Sequence, residues 1–382
     1  MKVVILGAGL QGTACALDLC RSDRVISVVM TDQSQPALDK AKTKIDSSKM
    51  NCQHVDVTSA ESMRTVMTGA DVVISAVPYF LNKTLMPLAI DAHCHWVDMG
   101  GNTDLVLRQL EYDAQAKQAG VTAIPDMGLA PGFANLLAAE LIAGFDAVES
   151  VKIRVGGLPQ EPKPPLDYQL FFSVEGLINE YIGMCDVLVD GKRERVKSLT
   201  EVETLEFPDP LGRCEAFYTL GGSSTLPWTY EGRVKNLDYK TVRYQGHAEK
   251  IRLLEELGFF ETDPLQTRDG LMVSPRQTTA AVLNKLLATD NPRDTVVIRV
   301  TVSGTKAGEA QAETFECIEH YNDADQLTAM MRTTAFPVSI VAQLLGTGAI
   351  QQPGVFPPER VVPVGVVREE MARRGIVVRH ME

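Results

Sequence analysis

The hexapeptide Gly7-Ala8-Gly9-Leu10-Gln11-Gly12 follows the apolar run "KVVIL" and precedes the amphipathic stretch 13–22, and no other feature restricts the fold as tightly. In a G-x-G-x-x-G turn the first glycine permits the tight bend and the second lets a pyrophosphate approach the backbone. The third lets a helix pack closely on the strand, and that helix offers its free N-terminal amides to the phosphates. Gly7, Gly9, Leu10, Gln11 and Gly12 are therefore candidate cofactor contacts. Asp32 stands twenty residues past Gly12, at the end of "VISVVMTD", where a second strand should finish. A carboxylate there accepts both ribose hydroxyls and repels a 2′-phosphate. Residues 33–39 contain no Arg or Lys to welcome that phosphate, so the pattern predicts NAD rather than NADP.

Short apolar runs continue to alternate with helical segments to about residue 125: "CQHVDVT", "DVVISAVP", "CHWVDMGG" and "VTAIPDMG". Strands separated by helices imply βαβ crossovers and a doubly wound parallel sheet covered on both faces. Ligands bind beyond the carboxyl ends of such strands. This places Asp56 and Val57 beside an adenine and Ala76, Val77, Pro78 and Asn82 near the nicotinamide half, unless the latter form an ordinary strand-to-helix loop. Thr58 to Glu61, "TSAE", fits a capping box at a helix start.

Past residue 130 the rhythm changes to longer alternating runs joined by turns, one on Asp190-Gly191 and another within "TKAGE". Hairpins indicate a second, α+β domain with a largely antiparallel sheet over 131–335. The tail returns to helices, with an apolar pattern over 331–350 interrupted at Pro337, so that 336–382 completes the Rossmann-type domain begun by 1–130.

Composition limits the function classes. With 45% apolar and 23% charged residues and a net charge of −12, the 382-residue chain reads as soluble and globular, and its acidity argues against nucleic-acid or membrane partners. Seven dispersed cysteines without a C-x-x-C pair suggest reduced thiols and a cytoplasmic protein. His93 and His95 would share a strand face beside Cys94, but no third ligand is evident, and no metal is expected.

The stretches "GAGLQG", "DMGLAPGFANLLA", "FFSVEGLINEY", "EAFYTLGGSSTL", "YKTVRYQGHAEK", "MMRTTAFPVSIVAQLLGTG" and "GVFPPERVVP" together resemble the saccharopine dehydrogenase family over nearly the whole chain. The resemblance implies a Rossmann domain built from both chain ends, a middle domain that supplies the substrate pocket, and a homo-oligomer, dimer or higher. It also implies NAD-dependent oxidation of the ε-amine of lysine. A rival within the family reduces a Schiff base to saccharopine or carboxynorspermidine with NADPH. A rival of another class is a non-catalytic NAD-binding sensor.

Oxidising an amine requires a base for the ammonium proton and a grip on the amino-acid head. Arg243 is the candidate for the α-carboxylate, because its planar fork can bind both oxygens, although a solvated or Glu249-paired arginine fits the same position. His247, at a helix start, is a candidate base or water-positioning group, or else a core histidine. Lys240 could act as a base if burial depresses its pKa, yet strand alternation puts it off the face of Arg243. Asp126, at a strand end, could receive an ammonium or orient water, or form an Asx turn. Glu175 is a candidate counter-charge, with a helix-start carboxylate as the plain alternative. Thr225 follows a glycine-rich approach that could bring its hydroxyl to a substrate.

Overall fold

A strand buried on both faces needs an unbroken apolar run, and β1 (Lys2–Leu6) has one: Val3, Val4, Ile5 and Leu6 are all fully buried. Around it, in a computed structural model that describes residues 1–381, the chain builds a seven-stranded parallel sheet. Its members are β2 (Ser27–Asp32), β3 (Met50–His54), β4 (Val72–Ser75), β5 (His95–Asp98), β6 (Thr122–Ile124) and the late strand Gly354–Val355. The order across the sheet is Gly354–Val355, β6, β5, β4, β1, β2, β3. Strand order therefore reverses between β1 and β4, the switch point at which open α/β sheets bind dinucleotides. Helices cover both faces, and Leu6, Met63, Met86 and Trp96 are among the residues buried in one of the cores.

The chain divides into two compact units, Met1–Gly144 with Ser224–Leu226 and Met331–Val378, and Phe145–Ser223 with Pro227–Met330 and the last residues from Arg379. The limits differ from the sequence expectation. The helix Phe133–Ala143 stays with the first unit because its Leu136, Leu137 and Ala138 are wholly buried, and Arg379–Met381 pairs with Glu316–Thr314 in the second unit's sheet.

Two local expectations are also corrected. The cap of Ala60–Met67 is Ser59, which accepts from the Ser62 amide, while both the amide and the hydroxyl of Thr58 are bound by Asp56 Oδ1. Pro337 does not interrupt its segment: one helix runs from Ala329 to Gly346. A mid-helix proline costs about 3 kcal/mol. Ala335, Val338, Val341 and Ala342, all fully buried, offset that cost.

The second unit is a mixed nine-stranded sheet around Ala147–Pro159, which pairs antiparallel with Asp294–Lys306 and parallel with Val234–Tyr244. The hairpin of Met184–Val189 and Lys192–Lys197 turns on Asp190 (φ 48°) and Gly191 (φ 79°). That of Asp294–Lys306 and Glu309–His320 turns on Ala307 (φ 52°) and Gly308 (φ 83°). Two successive left-handed residues match the twist of the flanking strands. The helices Val174–Tyr181, His247–Glu256 and Pro275–Leu287 pack through Leu177, Ile178, Ile251 and Leu283 into a core with Phe217 of the sheet.

Candidate active site

The glycine turn has the shape its spacing predicts, and its three glycines are constrained differently. A Cβ on Gly7 (φ 103°) would lie 2.7 Å from the carbonyl oxygen of Ala76, and one on Gly12 would lie 1.9 Å from the carbonyl oxygen of Gly7. Both positions are closed by backbone. A Cβ on Gly9 would meet nothing within 4 Å, so this glycine faces open space at the mouth of the helix Leu10–Arg21. That space suits a pyrophosphate. Leu10 is half exposed, and Gln11 has a buried Oε1 with no hydrogen-bond partner among the described residues.

Asp32 Oδ2 accepts from the Ala8 amide at 2.7 Å and Oδ1 from the Ser34 amide at 2.8 Å, which holds the carboxylate at the end of β2. The turn and the acid therefore fit a dinucleotide. Asp56 lies just past β3 with its carboxylate committed to Thr58, and Val57 packs at the edge of the core. Past β4, Ala76 and Val77 lie against Gly7, and Pro78 begins the next turn. Asn82 is buried, and its Oδ1 accepts from the Ser75 hydroxyl at 2.7 Å, so this side chain braces the loop.

Asp126 follows β6, at the same carboxyl edge, with φ 58°. It is 1% exposed, accepts a hydrogen bond from Ser224 Oγ on Oδ2, and has no partner for Oδ1 among the described residues. Gly100 is required beside it, since a Cβ there would lie 1.8 Å from Oδ1. Burial, and after it the charge of Asp98, push the Asp126 carboxyl well above the usual range; the Gly101 amide eases the shift without closing a hydrogen bond. Asp98, which the sequence did not single out, is fully buried and accepts from Trp96 Nε1, Gln109 Nε2 and the amides of Gly100 and Asp126. Thr225 Oγ1 donates to Glu359 Oε1 at 2.9 Å, so Thr225 belongs to this carboxyl cluster.

In the second unit, Arg243 and His247 do meet. Arg243 is 4% exposed, with Nη1 donating to the Val242 carbonyl at 3.0 Å and Nε to Tyr181 Oη at 3.4 Å. The guanidinium carbon sits 4.6 Å from the centre of the Tyr168 ring. A guanidinium has five N–H donors. The described hydrogen bonds use two of them, and Nη2 faces the Glu180 carboxylate at 3.5 Å.

His247 Nδ1 lies 2.9 Å from the Leu166 carbonyl, an acceptor, so the proton is on Nδ1, and Nε2 accepts from Tyr181 Oη at 2.8 Å. Burial, then the Arg243 charge, lower its pKa to about 3. With both nitrogens engaged, His247 is neutral, and the Tyr181 hydroxyl that it accepts from lies beside Arg243. This revises the general-base expectation.

Lys240 faces the other side of the sheet, where Nζ donates to the Glu201 carbonyl at 2.7 Å and lies 3.8 Å from Glu203. Burial lowers its pKa, but its neighbours there are Arg154, Glu203 and Tyr218. Glu175, expected as a counter-charge for a substrate, pairs with Arg276 at 3.0 Å, and a different carboxylate faces Arg243. That carboxylate is Glu180, five residues on, with Oε2 at 3.5 Å from Arg243 Nη2. The "HCHW" side chains are engaged by protein: His93 with the Ala119 carbonyl, Cys94 with the Met67 and Ala70 carbonyls, His95 with the Thr122 amide.

Comparisons with known proteins show the family of the chain. Residues 3–124 match the saccharopine dehydrogenase NADP binding domain, and residues 128–376 match the saccharopine dehydrogenase C-terminal domain. The carboxynorspermidine synthase of Vibrio cholerae is 23% identical over 95% of this chain and 93% of its own. The NADP-dependent, L-glutamate-forming saccharopine dehydrogenase of Saccharomyces cerevisiae is 24% identical over 94% and 93%. Among solved structures, the apo form of the L-glutamate-forming yeast enzyme superposes with a TM-score of 0.81 at 20% identity, covering 100% of this chain and 99% of that one. The homospermidine synthase of Legionella pneumophila in complex with NAD reaches 0.72 at 13% identity, covering 100% and 91%. The chain belongs to the saccharopine dehydrogenase family of NAD(P)-binding oxidoreductases.

Proposed function

We propose that this chain is an NAD-dependent lysine 6-dehydrogenase. L-lysine, NAD and water would give ammonium, NADH, a proton and 2-aminoadipate 6-semialdehyde, which cyclises to piperideine-6-carboxylate. The observation that supports this most is the buried Arg243, whose Nη1 and Nη2 carry N–H donors that no described hydrogen bond uses, an anchor for an amino-acid carboxylate.

Bound at the glycine turn, NAD would take a hydride from the ε-carbon. The ε-nitrogen needs a free lone pair first, and its ammonium has an unperturbed pKa of about 10.4. Asp126 is the group for that proton. Its raised pKa makes the ionised form a stronger base than an ordinary carboxylate, and Oδ1 is uncommitted. Water then adds to the iminium carbon, and the C–N bond breaks to release ammonia. Arg243 holds the carboxylate, and His247 acts through Tyr181 to keep Arg243 in place.

Asp32 supports NAD over NADP, since a 2′-phosphate would meet a carboxylate already fixed by two amides, with no cation among residues 33–39. A second reading, reduction of a Schiff base to a saccharopine- or carboxynorspermidine-type product, is favoured by the names of the relatives and by the NADP binding description of the matching domain. The readings separate in one assay: NADH formation with L-lysine, D-lysine, L-ornithine, cadaverine or saccharopine, and NADPH consumption with aldehyde and amine pairs. L-lysine turnover with a trapped piperideine supports the first, NADPH-driven reduction the second, and NAD binding without any turnover a sensor. A homo-oligomer in the cytoplasm completes the proposal. Exposed Leu265, Leu271 and Met272 offer apolar surface for assembly, and light scattering on the purified protein tests it.

A further inference from the structure

Glu180 breaks three rules of ordinary structural carboxylates. It stands in the last turn of the helix Val174–Tyr181, where the dipole disfavours negative charge. Burial among its neighbours lifts its pKa to about 7, yet its side chain keeps 31% of its surface open. Its one ion pair, with Arg243 Nη2, is open at 3.5 Å, whereas a charge-assisted hydrogen bond closes to about 2.7–2.9 Å. The described residues give this carboxylate no other hydrogen bond. Tyr168, Tyr181 and Tyr239 lie close enough to feel its charge, and none of them donates to it.

We infer that Glu180 receives the α-ammonium of the substrate and that Arg243 and Glu180 together read the zwitterionic head of a free α-amino acid. The inference rests on the reading of Arg243 as a carboxylate anchor. An α-amino acid carries its carboxylate and ammonium on one carbon, so it presents opposite charges to a cation and an anion that are themselves neighbours. Both under-used groups are then satisfied at once: the guanidinium gains an acceptor for its spare donors, and the carboxylate gains a cation. The site selects amino acids with a distal amine over simple diamines, which lack the carboxylate, and over ω-amino acids, which lack the α-ammonium.

The test is calorimetric binding of L-lysine, 6-aminohexanoate (no α-ammonium) and 1,5-diaminopentane (no α-carboxylate) to the full chain with NADH, which cannot accept a hydride. Wild type is expected to prefer L-lysine to both. In Glu180→Gln, L-lysine affinity should fall roughly 10- to 100-fold, as for a lost hydrogen bond between charged groups, while 6-aminohexanoate is unchanged or tighter. Glu180→Asp keeps the charge and should retain part of the preference, which also serves if the glutamine variant does not fold. Equal weakening of both ligands, no weakening of either, or a wild type that does not distinguish them would each overturn the proposal. Arg243→Lys separates the parent reading: if 6-aminohexanoate affinity survives it, Arg243 is not the carboxylate anchor, whatever Glu180 does.

Discussion

Alanine at Gly9 and alanine at Gly12 should have opposite consequences although the two sites are three residues apart. At Gly12 the new Cβ would lie 1.9 Å from the carbonyl oxygen of Gly7, inside contact distance by more than an ångström, and the obstacle is backbone. Helix and turn must separate, at about 1–3 kcal/mol or more, as overpacking generally costs. At Gly9 the methyl enters open space, and φ −70°, ψ −170° is extended backbone that alanine adopts freely. Replacing glycine there removes about 0.4–1 kcal/mol of unfolded-state entropy, and losing glycine at a helix N-cap costs a few tenths to about 1 kcal/mol. The two nearly cancel, so the apo protein should melt within about 2 °C of wild type, since 1 kcal/mol shifts a chain of this size by no more than a few degrees. The space the methyl fills is where a pyrophosphate would reach the helix amides. Losing one hydrogen bond to a charged group is worth about 1.5–3 kcal/mol, a 10- to 100-fold loss of NAD affinity. Thermal denaturation of both apo variants and calorimetric titration with NAD read the two effects separately. A Gly9→Ala protein that binds NAD as wild type does, or a Gly12→Ala protein with undiminished stability, would refute the reasoning.

Asp32→Ala should lower NAD affinity about 10-fold or more while NADP affinity holds or improves, measured as the ratio of the two kcat/KM values; an unchanged ratio would show that specificity lies elsewhere. His247→Phe removes the acceptor of Tyr181 and should raise KM for the amino acid roughly 10-fold with a smaller change in kcat. The pH profile between pH 5 and 8 should be unaltered, because His247 titrates near 3; loss of a limb near neutral pH would instead make it the base. Glu180 and Asp294 titrate near 7 when folded, above the ordinary carboxyl value, so the folded chain binds protons that the unfolded chain has released. Their contribution to stability is present below about pH 4, is lost as pH rises to about 7, and then levels off. Asp294→Asn should flatten part of that fall in urea denaturation and cost about 1–2 kcal/mol at pH 5, since Asp294 caps the amides of Ala329 and Met330; an unaltered pH slope would contradict the assignment.

The dinucleotide half was legible because its signals are local. The glycine spacing, the apolar runs and Asp32 act over a few residues, and the structure places each as the pattern implies. Of the proposed amino-acid half, Arg243 and Asp126 were legible and Glu180 was not. Glu175, five residues before Glu180 on the same helix, was the counter-charge the sequence offered, but its side chain pairs with Arg276, brought in from a later helix. The sequence left His247 as a base or a core histidine, and in the fold it is buried with the Leu166 carbonyl engaging its second nitrogen. Even the cap of its helix is not local: Glu215 on the neighbouring strand accepts from the amides of Gly246 and Ala248.

The sequence by itself determined the strand and helix alternation, the glycine turn, the two hairpins and the cofactor acid, all features whose energetics close within one turn or one strand pair. Only the tertiary structure decided which charges meet. Asp126 lies in a buried carboxyl cluster with Asp98, Ser224 drawn from a distant loop donates to it, and Glu180 rather than Glu175 faces Arg243. The physical reason is that a pKa and a partner depend on burial and on groups far away in the chain, which enter the site only when the whole chain has folded.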